Sequence, residues 1–327
     1  MHGDVSHASD AVLIRDDYER YHMKMQPFIT ALSGDLVSKT FLFVGFSFTD
    51  PNLEYILSRV RIHYGPDQRQ HHCLLRKTTK FEGENQADFE YRERKEKLFS
   101  IELLRVGIKV TYVDNYDDIT KILKAIEDKH KRRTVFISGA AHDYSPWEQG
   151  EAERFVHDLG KEISRSGHRI ISGFGLGIGG AVISAVVEDT VMNGGRLDDK
   201  LILRPFPQKQ TGDQPLPQLW TQYRNTMLDH AGVAIFVFGN KLVDGKLVES
   251  NGMREEFEIA RTKGIFVIPI GLTGSIARTL WREVVDQFKP DSHPKGEEIA
   301  KLLQALGEEK SDLKDAKGIT LHLLKII

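Results

Sequence analysis

The sequence predicts an α/β protein with mainly parallel sheets, and three observations carry that prediction. Short, uniformly apolar runs close on glycine or proline at 41–45, 135–139, 201–205, 232–239 and 264–271. Runs of this length and composition suit strands buried on both faces. Segments of helical spacing separate them, so strands and helices alternate. Residues 134–191 then read strand, helix, strand, glycine-rich loop, helix, the way a nucleotide-binding βαβ unit begins.

Tyr18, Tyr21, His22, Met25, Phe28 and Ile29 fall at helical intervals over residues 16–33, and Pro27 predicts a kink or break among them. Phe41–Gly45 is a buried strand, followed by a loop and a helix over 52–62 that Asp50 or Asn52 can cap. A strand at 72–75, a charged helix at 86–98, a strand at 106–113 and an amphipathic helix at 117–129 complete the first half. The run Glu127-Asp128-Lys129-His130-Lys131-Arg132-Arg133 is the most polar stretch between two patterned regions. It reads as a solvated linker, placing one domain at 1–130 and a second at 131–327.

In the second half, Val135-Phe136-Ile137 is a strand. Ala152, Phe155, Val156, Leu159 and Ile163 share one face of a helix over 151–165, which Gly167 ends. Arg169–Ile171 is the next strand, 172–180 the glycine-rich loop and 181–191 a helix. A strand at 201–203 stops at Pro205, and a polar loop follows at 208–214. A helix over 219–230 carries Arg224. The buried strand 232–239 leads into a polar loop at 240–250, a helix at 253–262 and a buried strand at 264–270. Helices fill most of the remainder.

The length of 327 residues suits about two domains. A net charge of −2 gives no reason to expect nucleic acid as a partner. Cys73 is the single cysteine, which excludes an intrachain disulfide framework and a Cys-based zinc site. His71, His72 and Cys73 lack metal-ligand spacing, and no metal is expected. No segment is long and apolar enough to span a membrane, and no signal-peptide pattern opens the chain. The expectation is a cytoplasmic protein without a membrane partner.

Gly173, Gly175, Gly177, Gly179 and Gly180 remove Cβ atoms where a strand turns into a helix. Backbone N–H groups can then approach an anion at the positive helix end. The spacing departs from G-x-G-x-x-G, and the Lys-Ser/Thr of a P-loop is lacking. A tight strand-to-helix turn is the alternative reading.

Residues 134–290 resemble the SLOG superfamily of Rossmann-like domains. The glycine-rich turn matches at Gly173–Gly180. The superfamily's later Gly-Gly-x-Gly-Thr-x-x-Glu motif survives only as Ser250-Asn251-Gly252-Met253-Arg254-Glu255-Glu256, a departure that argues against LOG-type phosphoribohydrolase chemistry. The closer likeness is to the STALD sensor subset, found beside sirtuin-like and TIR domains. Residues 1–125 look like the C-terminal half of a sirtuin-like NAD-consuming domain. Met1-His2-Gly3-Asp4-Val5 matches its His-Gly motif, and Gly45-Phe46-Ser47 with Asp50 matches its Gly-x-Ser-x-x-Asp motif. The ordered pair resembles the Thoeris antiphage effector family.

That resemblance implies two Rossmann-like domains, the first incomplete. The family's Gly-Ala-Gly-x-Ser segment and catalytic-loop Asn lie upstream of the His-Gly motif, and neither occurs before His2. The expectation is a chain that alone hydrolyses NAD poorly or not at all. One cysteine cannot build the Cys₄ zinc module of deacetylating sirtuins. The resemblance further implies His2 as catalytic base, and Gly45, Ser47 and Asp50 on the ribose side of NAD, with Asp50 also free to serve only as a helix cap. It implies Arg224 and Lys241 on the pyrophosphate of a cyclic ADP-ribose activator and Glu256 on ribose hydroxyls. Ser138 and Gly139 close the first strand at the same rim, beside Gly173, Gly175, Gly177 and Gly179. The implied function is NAD⁺ hydrolysis triggered by a cyclic ADP-ribose isomer from a TIR-domain partner, within a homo-oligomer. A non-catalytic sensing module and a LOG-like nucleotide hydrolase are the alternatives.

Overall fold

The computed structural model describes residues 6, 12, 14–46, 48, 50–65, 69–207, 209–210, 212–308 and 311–327. The chain is α/β and divides into two compact units, residues 1–124 and 125–327.

The first unit runs α1 (Arg15–Lys24), α2 (Gln26–Ser38), β1 (Leu42–Val44), α3 (Pro51–Tyr64), β2 (His71–Arg76), α4 (Gln86–Arg105), β3 (Ile108–Val113) and the start of α5 (Asp117–Lys131). The helix breaks at Met25, and Pro27 sits in the first turn of α2, where its missing N–H is tolerated. Asp50 caps α3, its carboxylate accepting from the N–H of Asn52 at 2.9 Å. Strands β1, β2 and β3 form a parallel sheet in that order. Leu53, Ile56, Leu57 and Val60 of α3 pack with Cys73, Leu103 and Ile108. The expected buried strand 41–45 is corrected: Leu42 and Val44 share one face of β1, and that face is exposed. The polar run 127–133 is also not an open linker. Helix α5 continues through Lys131, so the two units part within a helix.

The second unit continues through β4 (Thr134–Ala140), α6 (Gln149–Arg165), β5 (Arg169–Ser172), α7 (Gly179–Asn193), α8 (Leu197–Lys200), β6 (Leu201–Leu203), α9 (Leu216–Leu228) and β7 (Val233–Phe238). Then come β8 (Asn240–Val243), β9 (Lys246–Glu249), α10 (Asn251–Thr262), β10 (Phe266–Pro269), α11 (Ser275–Gln287), α12 (Gly296–Ala305) and α13 (Leu313–Ile326). Five strands form one parallel sheet in the order β10-β7-β4-β5-β6. All six residues of β7 are buried. Alternation divides the central strands between two cores. Val135, Ile137, Val233, Ile235 and Val237 meet α6, α7, α12 and α13 on one face. Phe136, Ala234 and Phe236 meet Met227, Leu228, Phe257 and Leu280 on the other.

The expected loop 240–250 is an antiparallel hairpin, β8 against β9. Its turn is Asp244-Gly245, both at positive φ (50° and 73°), the geometry of a tight two-residue hairpin turn. Asn240 anchors it: the side-chain oxygen accepts from the N–H groups of His142 and Asp143, each at 2.9 Å. The side-chain amide donates to the Asp143 carbonyl and the Ser275 hydroxyl. No helix among the described residues is long and apolar enough to cross a membrane.

One buried charge joins α6, α7 and α8. Asp189 accepts from Arg165 Nε and Asn193 Nδ2, each at 2.7 Å, and from Lys200 Nζ at 3.1 Å. These contacts, the Arg165 hydrogen bond first, hold its carboxyl down at about 2, against about 3.9 in an unfolded chain. The contribution is therefore complete above about pH 4 and lost as pH falls through about 2. Asp189→Ala leaves Lys200 and Asn193 without this acceptor and Arg165 with Glu162 alone, and should lower stability by about 2 kcal/mol near neutrality. In urea denaturation the gap to wild type should narrow as the pH falls below about 4; a gap unchanged by acid would contradict this assignment.

Candidate ligand-binding cleft

The sheet order sets the site. From β4 the chain crosses to β5 and β6 on one side, and later to β7 and β10 on the other. Crossovers leaving in opposite directions open a crevice at the carboxyl ends of the strands. A cleft of about 210 Å³ lies there. Its walls are the end of β4, the β5–α7 loop, Pro205 and Phe206 after β6, Arg224 of α9, and the first turns of α10.

Close approach explains the glycines. A Cβ on Gly175 would collide with the carbonyl of Gly139 at the end of β4. A Cβ on Gly173 would meet the Phe206 ring at 2.7 Å. Both line the cleft, as do Ser138 and Gly139. Gly177 and Gly179 do not; they hold the loop in place. Gly177 has φ +75° and lies against the Ala141 carbonyl and the Tyr144 hydroxyl, and Gly179 lies against the backbone of Phe174. The Ala141 N–H donates to the Leu176 carbonyl at 2.8 Å, and the Tyr144 hydroxyl to the Gly177 carbonyl at 3.1 Å. Phe174, at the loop tip, has φ +60° and is half exposed in the cleft wall. A bulky residue held in the left-handed region is strained, a state that surrounding structure must enforce.

Polar groups converge on Glu256. It is buried, and its Oε2 accepts from the Ser138 hydroxyl at 2.6 Å. Arg224 Nε reaches its Oε1 at a longer 3.4 Å. Burial pushes the Glu256 carboxyl above its ordinary value, opposed by the Ser138 and Arg224 contacts. Arg224 Nη1 donates to Glu255 Oε2 at 2.6 Å, and the Thr221 hydroxyl donates to the other oxygen of Glu255. The guanidinium carbon stands 5.0 Å from the centroid of the Phe206 ring. Nη2 lies against Gly252, where a Cβ would come within 2.7 Å of it.

The structure thus brings Ser138, Gly139, Gly173, Gly175, Arg224 and Glu256 to one cleft. Lys241 does not line it; it sits in β8 opposite Val248. Phe174 and Phe206 line the cleft, and Glu255, held by the Thr221 hydroxyl, grips Arg224 from outside the lining; the sequence did not single out these four. Phe206, a lone aromatic behind Pro205, carried the one usable signal. Glu258, further along α10, makes the helix-face pair instead: Arg254 Nη1 meets it at 3.4 Å while also gripping Glu283.

In the first unit, His2 and Ser47 lie outside the described residues. Gly45 has φ +67° just after β1. Beside the Asp50 cap, Arg15, Tyr18, Asn52 and Tyr55 line a depression between α1 and α3. Asn52 Nδ2 is buried there with no partner among the described residues. No cluster of three His, Cys, Asp or Glu side chains suited to a metal occurs among the described residues.

Comparison with known proteins follows the division into two units. The family model described as the Sir2- and TIR-associating SLOG family (STALD) matches residues 118–327, and a SIR2-like domain model matches residues 1–101. The NAD(+) hydrolase ThsA of Bacillus cereus (strain MSX-D12) is 48% identical over 100% of this chain and 68% of its own length. The ThsA of Cytobacillus dafuensis is 44% identical over 88% of this chain and 60% of its own. That of Acinetobacter baumannii (strain 532279) is 42% identical over 93% and 65%. The chain therefore spans 60% to 68% of the length of these three relatives. A solved structure of Helicobacter pylori DNA processing protein A aligns with 60% of this chain and 83% of its own at 12% identity; its TM-score of 0.33 carries no argument. With a SIR2-like segment followed by a STALD segment, and such identity to these relatives, the chain belongs to the ThsA family.

Proposed function

We propose that the second unit is the sensor of a Thoeris-type effector and binds a cyclic ADP-ribose isomer made by a TIR-domain partner. One observation carries this reading: an arginine and a glycine cradle share one crevice at the topological switch point of a parallel sheet. Gly139, Gly173 and Gly175 let backbone approach a diphosphate, and the first turn of α10 presents its positive end through Ser250 and Gly252. Arg224 supplies a cation, Lys241 a second from the neighbouring hairpin, and Glu256 an acceptor for ribose hydroxyls. Phe174 and Phe206 offer aromatic faces to a base.

The first unit, in this reading, contributes to an NAD-hydrolysing domain. His2 acts as base near a ribose hydroxyl or an attacking water. Gly45, Ser47 and Asp50 border the ribose, and the Asp50 cap fixes where that loop ends. The names of the relatives and the SIR2-like match support NAD as substrate. A cytoplasmic homo-oligomer would couple the two events: the activator must bind the active arrangement better than the resting one.

Calorimetry with cyclic ADP-ribose isomers tests the sensor, and nicotinamide release from NAD tests the coupling. Arg224→Lys keeps the charge but loses the planar fork, and should weaken binding about tenfold or more. Arg224→Ala should do the same and also lower stability, because it leaves Glu256 buried without its cation. Lys241→Ala should weaken binding with an unchanged melting temperature. Gly175→Ala should abolish binding by driving the loop off Gly139. Wild-type affinity in all four variants would move the site elsewhere.

A further inference from the structure

The ion pairs around Arg224 engage one nitrogen of each of its hydrogen-bonding forks. A guanidinium grips a phosphate bidentately through Nε with Nη2 or through Nη1 with Nη2. Here Nε points to Glu256 and Nη1 to Glu255, and only Nη2 has no carboxylate among the described residues. Nη1 carries two N–H groups and Glu255 takes one of them, so a diphosphate arriving at the end-on fork must share Nη1 with that carboxylate or displace it.

The two carboxylates are not equally displaceable. The Glu256 side chain is 10% exposed and held by the Ser138 hydroxyl. Left alone it would be a buried unpaired charge, which is strongly unfavourable. The Glu255 side chain is 33% exposed and lies outside the cleft wall. Water can solvate it once it is released, and the Thr221 hydroxyl can follow or stay. Exchange at Nη1 is therefore the lower-energy route.

We propose that Glu255 is a built-in competitor for the ligand's diphosphate: its carboxylate engages Nη1, one of the two nitrogens of the end-on fork of Arg224, and its release helps set the affinity of the site. This rests on the diphosphate-binding reading above and adds a residue to it. The arrangement preorganises Arg224, since Phe206 and Glu256 keep the guanidinium in place during the exchange. It also discriminates among anions. A single weak anion gains little by displacing an equivalent carboxylate, whereas a diphosphate also collects the backbone cradle.

The test is calorimetric titration of the full chain with cyclic ADP-ribose isomers, ADP-ribose and inorganic pyrophosphate. Glu255→Gln should tighten the diphosphate ligands by at least about threefold, the scale of losing a partly exposed ion pair. Glu258→Gln, on the same helix but paired with Arg254, controls for net charge and should change nothing. Should Glu255→Gln fail to fold, Glu255→Asp keeps the charge but shortens the reach to Nη1, and should tighten binding too. Wild-type or weaker affinity in the Glu255 variants, beside a binding wild type, would make Glu255 an orienting residue. That result overturns the inference and leaves the cleft reading standing. Equal tightening by Glu258→Gln would reduce the effect to net charge and overturn the inference as well. No binding by wild type or variants would remove the cleft reading, and this inference with it.

Discussion

The pairing of β4 with β7 is the constraint on which the second unit depends. Six consecutive residue pairs join them, from Val135 and Val233 to Ala140 and Phe238. Both strands are buried on both faces, so each residue must serve one of two cores, and a shift of one position would exchange the cores. The same pairing fixes the depth of the crevice. Ser138 and Gly139 lie opposite Phe236 and Val237, so the floor of the cleft is continuous with the centre of the sheet. The shape of the cleft and the stability of the fold therefore draw on the same two strands.

Charge at the cleft follows from burial. Arg224 and Glu256 have side chains only 11% and 10% exposed. Neither is tolerable there alone, and the pair lacks ideal geometry at 3.4 Å. Ser138 completes the solution on the carboxylate side and Glu255 on the guanidinium side. A buried guanidinium needs a carboxylate partner, and the second turn of α10 supplies two, Glu255 and Glu256.

Much of this was legible in the sequence. Strands β4, β7 and β10 were clear because they are apolar without interruption, and the Pro27 break and the Asp50 cap followed from backbone chemistry. The ends of α4 and α5 were not legible: α4 runs to Arg105 and α5 to Lys131 because charged surface residues continue a helix as readily as they leave it. The β8–β9 hairpin was missed although Asp244-Gly245 is a turn signal, because Lys246–Glu249 is exposed along its whole length and shows no buried face. In the site, the glycines and Arg224 were visible as residue types suited to phosphate. The partners of Arg224 were not, since Thr221, Glu255 and Phe206 reach it from different elements, and no local spacing encodes that convergence.

The frame around the cleft argues that any response to a ligand begins in side chains. Asn240 ties the hairpin to residues 142 and 143 and to Ser275 at the start of α11. Gly239 hydrogen-bonds back to Ala140 and accepts from Ser250, the residue before α10. The start of α10 is thus fixed from both sides, and Glu255 and Glu256 ride on a helix whose origin cannot move without breaking several buried bonds. The β5–α7 loop differs. Phe174 and Leu176 are exposed, and Phe174 holds a strained backbone conformation. A ligand that packs on Phe174 would act on the one wall of the cleft with stored strain, while the opposite wall keeps Arg224 in register.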